Sequence, residues 1–100
     1  MRLIEINLPQ IYTLCQTHKV KTLSVFGSIL TNRFNNDSDV DLLVDFNSDI
    51  NHNNYADNFF NFYYALKSLL GRDIDLVDYS AIKNPYFKEE IEETKRVIYG

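Results

Sequence analysis

Apolar and polar positions recur along this chain with two different periods, and the points where the period changes mark its elements. Ile4, Leu8, Ile11, Leu14, Cys15 and His18 fall at spacings of three and four. That is the spacing of one helix face, and Pro9 suits a first turn, so a helix is predicted near residues 8–18. Val20 to Phe26 is short, rich in β-branched residues and stopped by Gly27, which predicts a strand. Residues 28–34 read as a short helix whose amino end lies at the Gly27-Ser28 turn. Asp37-Ser38-Asp39-Val40-Asp41 then runs into Leu42-Leu43-Val44-Asp45-Phe46, where the continuous apolar stretch predicts a second strand covered on both faces.

Asparagine is plentiful around Asn47 to Asn61, which reads as one polar surface loop. From residue 54 to about 70 a helical stripe is nevertheless clear, with Tyr55, Phe59, Phe62, Tyr63, Leu66, Leu69 and Leu70 on one side and Gly71 as the stop. Phe60 and Tyr64 lie off that stripe, either as an exposed ridge for another protein or as part of a wide buried face. A third strand is predicted at 73–79, and Asn84-Pro85 opens a last helix to about Arg96. The order α-β-α-β-α-β-α specifies a small α/β (α+β) domain.

Length and composition narrow this further. One hundred residues fit one compact domain, and a 45% hydrophobic share with 14% aromatics supplies its core. Ten Lys and Arg against 14 Asp and Glu leave a formal net charge of −4. That sign is wrong for coating a phosphate backbone or an anionic membrane, so bulk nucleic-acid binding is not expected. The single cysteine, Cys15, excludes an internal disulfide and a zinc site of paired cysteines. No apolar run reaches the roughly 18 residues that span a bilayer, and the amino terminus lacks a signal-peptide core. A soluble protein of the reducing cytoplasm is the expectation.

The chemistry concentrates in Gly27-Ser28, ten intervening residues, and Asp39-Val40-Asp41. Side chains at i and i+2 of a strand share a face, so Asp39 and Asp41 are presented as a pair. Asp75 lies in the third strand and completes a cluster of three if that strand is a neighbour. Crowded carboxylates repel one another, and a divalent cation removes the conflict. All-oxygen ligation favours Mg²⁺, with Mn²⁺ as the alternative, and Mg²⁺ works with phosphate oxygens. Gly27 allows the backbone to approach a phosphate, amides at the following helix start donate to it, and Ser28 adds a hydroxyl.

These residues resemble the DNA polymerase β-type nucleotidyltransferase superfamily. The match is to its minimal single-domain branch, the MNT proteins that pair with HEPN-domain toxins. The likeness rests on Gly27-Ser28, Asp39-x-Asp41 and Asp75 in an Arg-x-x-Asp-Leu-Val context, and extends to Pro85-Tyr86 through Ile91 and to Ile98-Tyr99-Gly100. It implies a short mixed β-sheet backed by helices and a two-metal transfer of a nucleotidyl group. Gly27 and Ser28 would bind the triphosphate, Asp39 and Asp41 would bridge two Mg²⁺ ions, and Asp75 would complete the metal for the attacking hydroxyl and help deprotonate it. The donor implied is ATP, and the acceptor a tyrosine hydroxyl of a HEPN toxin silenced by adenylylation. The family often carries a basic residue shortly after Gly-Ser, where this chain has Ile29, Leu30 and Thr31. Arg33 and Arg72 are the available substitutes. Two alternatives stand beside this reading: an antitoxin that blocks its toxin by contact alone, and an enzyme modifying a small molecule or an RNA end. A homo-oligomer stays open.

Other polar residues have plainer readings. Asp37 to Asp41 resembles the start of an EF-hand loop but has Leu42 where glycine is needed and Ser48 where glutamate is needed. Cys15 and His18 are expected as a buried thiol and a core or boundary histidine, and His52 as solvated. Asp37, Asp45 and Asp73 are expected in turns, at edges or as caps. The charges from Lys88 to Arg96 form the wet side of a helix.

Overall fold

In the computed structural model, which describes all residues from Met1 to Gly100, all three predicted strands form. They are β1 (Val20–Phe26), β2 (Val40–Phe46) and β3 (Ile74–Asp78). Alternation in β2 decides which side chains go where. Val40, Leu42, Val44 and Phe46 are buried in the main core, whereas Asp41 and Asp45, on the opposite side of the pleat, are only half-buried. β2 pairs antiparallel with β1 and parallel with β3, so it is a central strand, as its unbroken apolar character requires.

Helices α1 (Arg2–Ile6), α2 (Leu8–Thr17) and α3 (His52–Leu70) bring Ile4, Ile11, Cys15, Phe62, Leu66 and Leu70 to the core face of the sheet. The Asn51 side chain accepts from the Asn53 amide at the start of α3. Gly71, in the left-handed region at φ 67°, ends it. Helix α4 (Pro85–Thr94) starts at Asn84, whose side chain accepts from the Tyr86 and Phe87 amides. Its Phe87 packs edge-on against Phe26 at a centroid distance of 6.4 Å. Phe60 and Tyr64 are 53% and 62% exposed, which decides between the two readings of them: they lie outside the core. Cys15 is fully buried and His52 exposed. No helix is long and apolar enough to cross a membrane.

The structure corrects four boundaries. An additional short helix, α1, precedes the first predicted one. The asparagine-rich segment is loop only up to Asn51, because α3 begins at His52. Residues 28–34 do not form an α-helix: a single 3₁₀ turn spans Gly27–Leu30. Beyond it, polar side chains satisfy the backbone locally. Thr31 Oγ1 accepts from the Arg33 amide, Ser38 Oγ from the Asn35 amide and Asn35 Oδ1 from the Asp37 amide. Such bonds compete with helical ones. Finally, α4 stops at Thr94 and Arg96–Tyr99 forms a fourth strand, β4, antiparallel to β1. The result is a mixed sheet in the order β3-β2-β1-β4. This is the short mixed sheet backed by helices that the family resemblance implies.

Candidate active site

The carboxyl end of β1 lies beside the amino ends of β2 and β3, and the predicted chemistry gathers there. In the register, Phe26 is opposite Asp41, and Asp41 is opposite Asp75. Residues directly paired in adjacent strands project from the same face, so the parallel pairing sets the Asp41 and Asp75 carboxylates side by side. Asp39 lies one residue before β2, where it lines a polar hollow of about 340 Å³ with Ser38, Arg72 and Asp73.

Electrostatics register this crowding. The Asp41 carboxyl is held above its ordinary pKa of 3.8, first by burial, then by the negative charges of Asp75 and Asp39, while a hydrogen bond from the Ser28 amide works the other way. Asp41 therefore senses the charges of both other carboxylates.

Gly27 explains how Asp41 reaches the turn. Its φ of 73° lies in the left-handed region, and a Cβ there would collide with Asp41 Oδ2 and sit 3.1 Å from Cγ. The Asp41 carboxylate therefore lies directly over the glycine and against the Ser28 amide. Thr31 closes the turn from the far side, donating from both its amide (2.9 Å) and its hydroxyl (2.8 Å) to the Ser28 carbonyl. The five sequence-selected residues thus share one end of the sheet.

The donor set is all oxygen, and its mutual repulsion calls for a cation, so the residues fit Mg²⁺ or Mn²⁺ in kind. No group of three acidic, histidine or cysteine side chains is arranged to hold a metal ion by itself. The expected cluster of Asp39, Asp41 and Asp75 is therefore not pre-assembled as a metal cage.

Beside Gly27 opens a cavity of about 600 Å³, lined among others by Phe26, Thr31, Phe87, Glu90, Ile91 and Arg96. Its apolar walls and single cation suit a flat, partly polar group near the carboxylates. Sequence reasoning missed this wall, because it read the residues up to Arg96 as a wet helix side. The signal was there: Phe87 and Ile91, four apart, form the one apolar stripe of an otherwise charged helix. The two arginines named as substitutes for the missing basic residue differ. Arg33 is exposed, whereas Arg72 Nη2 donates to the carbonyls of Asn35 and Ser38, and its guanidinium stacks on Phe34.

Comparison with known proteins decides the family. The family model described as "Polymerase beta, Nucleotidyltransferase" matches residues 9–100. The chain belongs to that family. It is an enzyme fold built for nucleotidyl transfer, and relatives in Methanocaldococcus jannaschii share it. One, named "Putative protein adenylyltransferase MJ0128", is 41% identical over 78 residues, covering 78% of this chain and 76% of the relative. A second, with the same activity in its name, is 35% identical over 78 residues, covering 76% and 74%. Among solved structures, one described as a "putative minimal nucleotidyltransferase" superposes with a TM-score of 0.77 at 26% identity, over 93% of this chain and 90% of that one. A complex of tri-AMPylated Shewanella oneidensis HEPN toxin with MNT antitoxin shares the fold, at a TM-score of 0.66 and 19% identity, over 96% and 71%.

Proposed function

We propose that this nucleotidyltransferase moves AMP from ATP to a tyrosine hydroxyl of a HEPN-type toxin, using two Mg²⁺ ions, and so acts as the antitoxin of that toxin. The observation that carries the reading is the pairing of Asp75 with Asp41, whose carboxylate lies over Gly27. Support for the acceptor class comes from the relatives named as protein adenylyltransferases and from the toxin complex with the same fold.

In this reading Gly27 and Ser28 take the triphosphate, with the Ser28 amide passing from Asp41 to a phosphate oxygen. The nucleoside lies in the cavity under Phe87 and Arg96. Asp39 and Asp41 would hold the Mg²⁺ ions, and Asp75 would complete the metal for the attacking hydroxyl and help take its proton, the hydroxyl oxygen bonding to the α-phosphorus as the bond to pyrophosphate breaks. Bound Mg²⁺ would offset the carboxylate repulsion and the charge that develops on the transferring phosphoryl group.

The test is incubation with labelled ATP, Mg²⁺ and the protein encoded by the neighbouring reading frame. Label should appear on that protein and vanish with Asp39→Ala plus Asp41→Ala. Absence of label with the wild type refutes the reading. Neutralisation of the toxin that survives the double substitution refutes catalysis as its means and establishes inhibition by contact.

A further inference from the structure

The acidic site depends on a residue that stands outside it. Asp39 occupies the end of an irregular segment, residues 31–39, and no hydrogen bond or ion pair holds its carboxylate. Its backbone, in contrast, is gripped on both sides. The Arg72 Nη2 donates at 2.8 Å to the carbonyl of Ser38, the oxygen of the very peptide unit that carries the Asp39 nitrogen. Arg72 Nη2 also donates to the Asn35 carbonyl, and the guanidinium carbon sits 4.5 Å from the centroid of the Phe34 ring. On the other flank, the Val40 amide donates at 3.1 Å to the carbonyl of Asp73. Residues 72 and 73, immediately after the glycine that ends α3, therefore hold the chain on either side of Asp39.

We infer that Arg72 is a positioning residue for the reaction: it fixes the 35–38 segment so that Asp39 is held beside Asp41 and Asp75. The inference rests on the proposed role of Asp39 as a site residue. Two further observations favour this role over direct contact with the triphosphate. The inner Nη2 is occupied by two loop carbonyls, and Nε is buried with no partner at all. The guanidinium is thus oriented toward the loop and the Phe34 ring, with its buried Nε left without a partner. Arg72 also lines the same polar hollow as Asp37, Asp39 and Asp73.

The experiment compares wild type, Arg72→Ala, Arg72→Lys and Asp39→Asn by three readouts: transfer kinetics with the toxin acceptor, Mn²⁺ binding to the nucleotide-free protein by electron paramagnetic resonance, and amide hydrogen exchange of residues 36–40. Loss of an outer partner that orients a metal-facing group lowers metal affinity or activity by roughly 10–100-fold. Arg72→Ala should therefore lower kcat by that factor with KM for ATP nearly unchanged, weaken Mn²⁺ binding several-fold and speed exchange at 36–40. Arg72→Lys, which keeps charge and reach but loses the planar fork, should recover part of each. A raised KM with unchanged kcat would make Arg72 a phosphate ligand and overturn the inference. So would unchanged Mn²⁺ binding and exchange in Arg72→Ala while Asp39→Asn loses Mn²⁺ affinity. If Asp39→Asn itself binds Mn²⁺ like wild type, the reading of Asp39 fails and this inference falls with it. Should Arg72→Ala not fold, Arg72→Lys decides by the same readouts.

Discussion

Replacing Gly27 by alanine separates the two demands that the Gly27-Ser28 turn makes, because Gly71 provides an internal control. Both glycines have left-handed backbones, φ 73° and 67°, so alanine at either incurs the same conformational penalty, about 1–2 kcal/mol. Their surroundings differ completely. A Cβ on Gly71 meets nothing within 4 Å, whereas one on Gly27 collides with the Asp41 carboxylate. Gly71→Ala should therefore lose only the backbone component. For a domain of this size that corresponds to a fall in Tm of roughly 4–8 °C per kcal/mol. Gly27→Ala should show that loss and, in addition, displace Asp41. A misplacement of about 1 Å in a catalytic group can cost on the order of 100-fold in rate. Urea denaturation of both variants gives the stability difference, and AMP transfer to the proposed acceptor gives the rate. Gly71→Ala should retain most activity and Gly27→Ala almost none. Equal transfer rates for the two variants would refute the placement of Asp41 over the turn.

Removing the Asp41 charge should relieve its repulsion with Asp75 and Asp39, so Asp41→Asn is expected to melt higher than wild type in metal-free buffer while losing AMP transfer; a lower melting temperature contradicts the crowding. Phe62 is fully buried against the Phe46 and His18 rings at 6.0 and 5.4 Å, and Phe62→Ala should cost about 3–5 kcal/mol by denaturant titration, a loss under 1 kcal/mol being incompatible with that packing. Burial pushes the Cys15 thiol up to about 12, so the thiolate is absent at pH 8; alkylation by iodoacetamide should be negligible in the native protein, rise only as the pH approaches that value, and become rapid in urea at pH 8. Serine at the exposed Phe60 or Tyr64 should change stability by no more than about 0.5 kcal/mol, measured the same way.

What the sequence determined by itself was everything governed by local periodicity and spacing. The strand at Val20–Phe26, the apolar central strand at Val40–Phe46 and the amphipathic helix ending at Gly71 were each legible, because one buried face imposes a period of 2 or 3.6 on neighbouring residues. The glycine turn at 27 and Asp41 were legible from where the strands end and begin, whereas Asp39 lies one residue before β2 and owes its place to the fold. Tertiary structure alone decided how these pieces meet. The parallel register that sets Asp75 beside Asp41 joins residues 34 positions apart, and nothing in the local pattern specifies a partner strand. Strand β4 went unread because four residues at a helix end have almost no period of their own and become a strand only by pairing with β1. The helix expected at 28–34 gave way to a 3₁₀ turn because Thr31, Asn35 and Ser38 hydrogen-bond the backbone locally. The cavity under α4 and the hold of Arg72 on the Ser38 carbonyl likewise arise between segments far apart in the chain, so both belong to the fold and not to the sequence pattern.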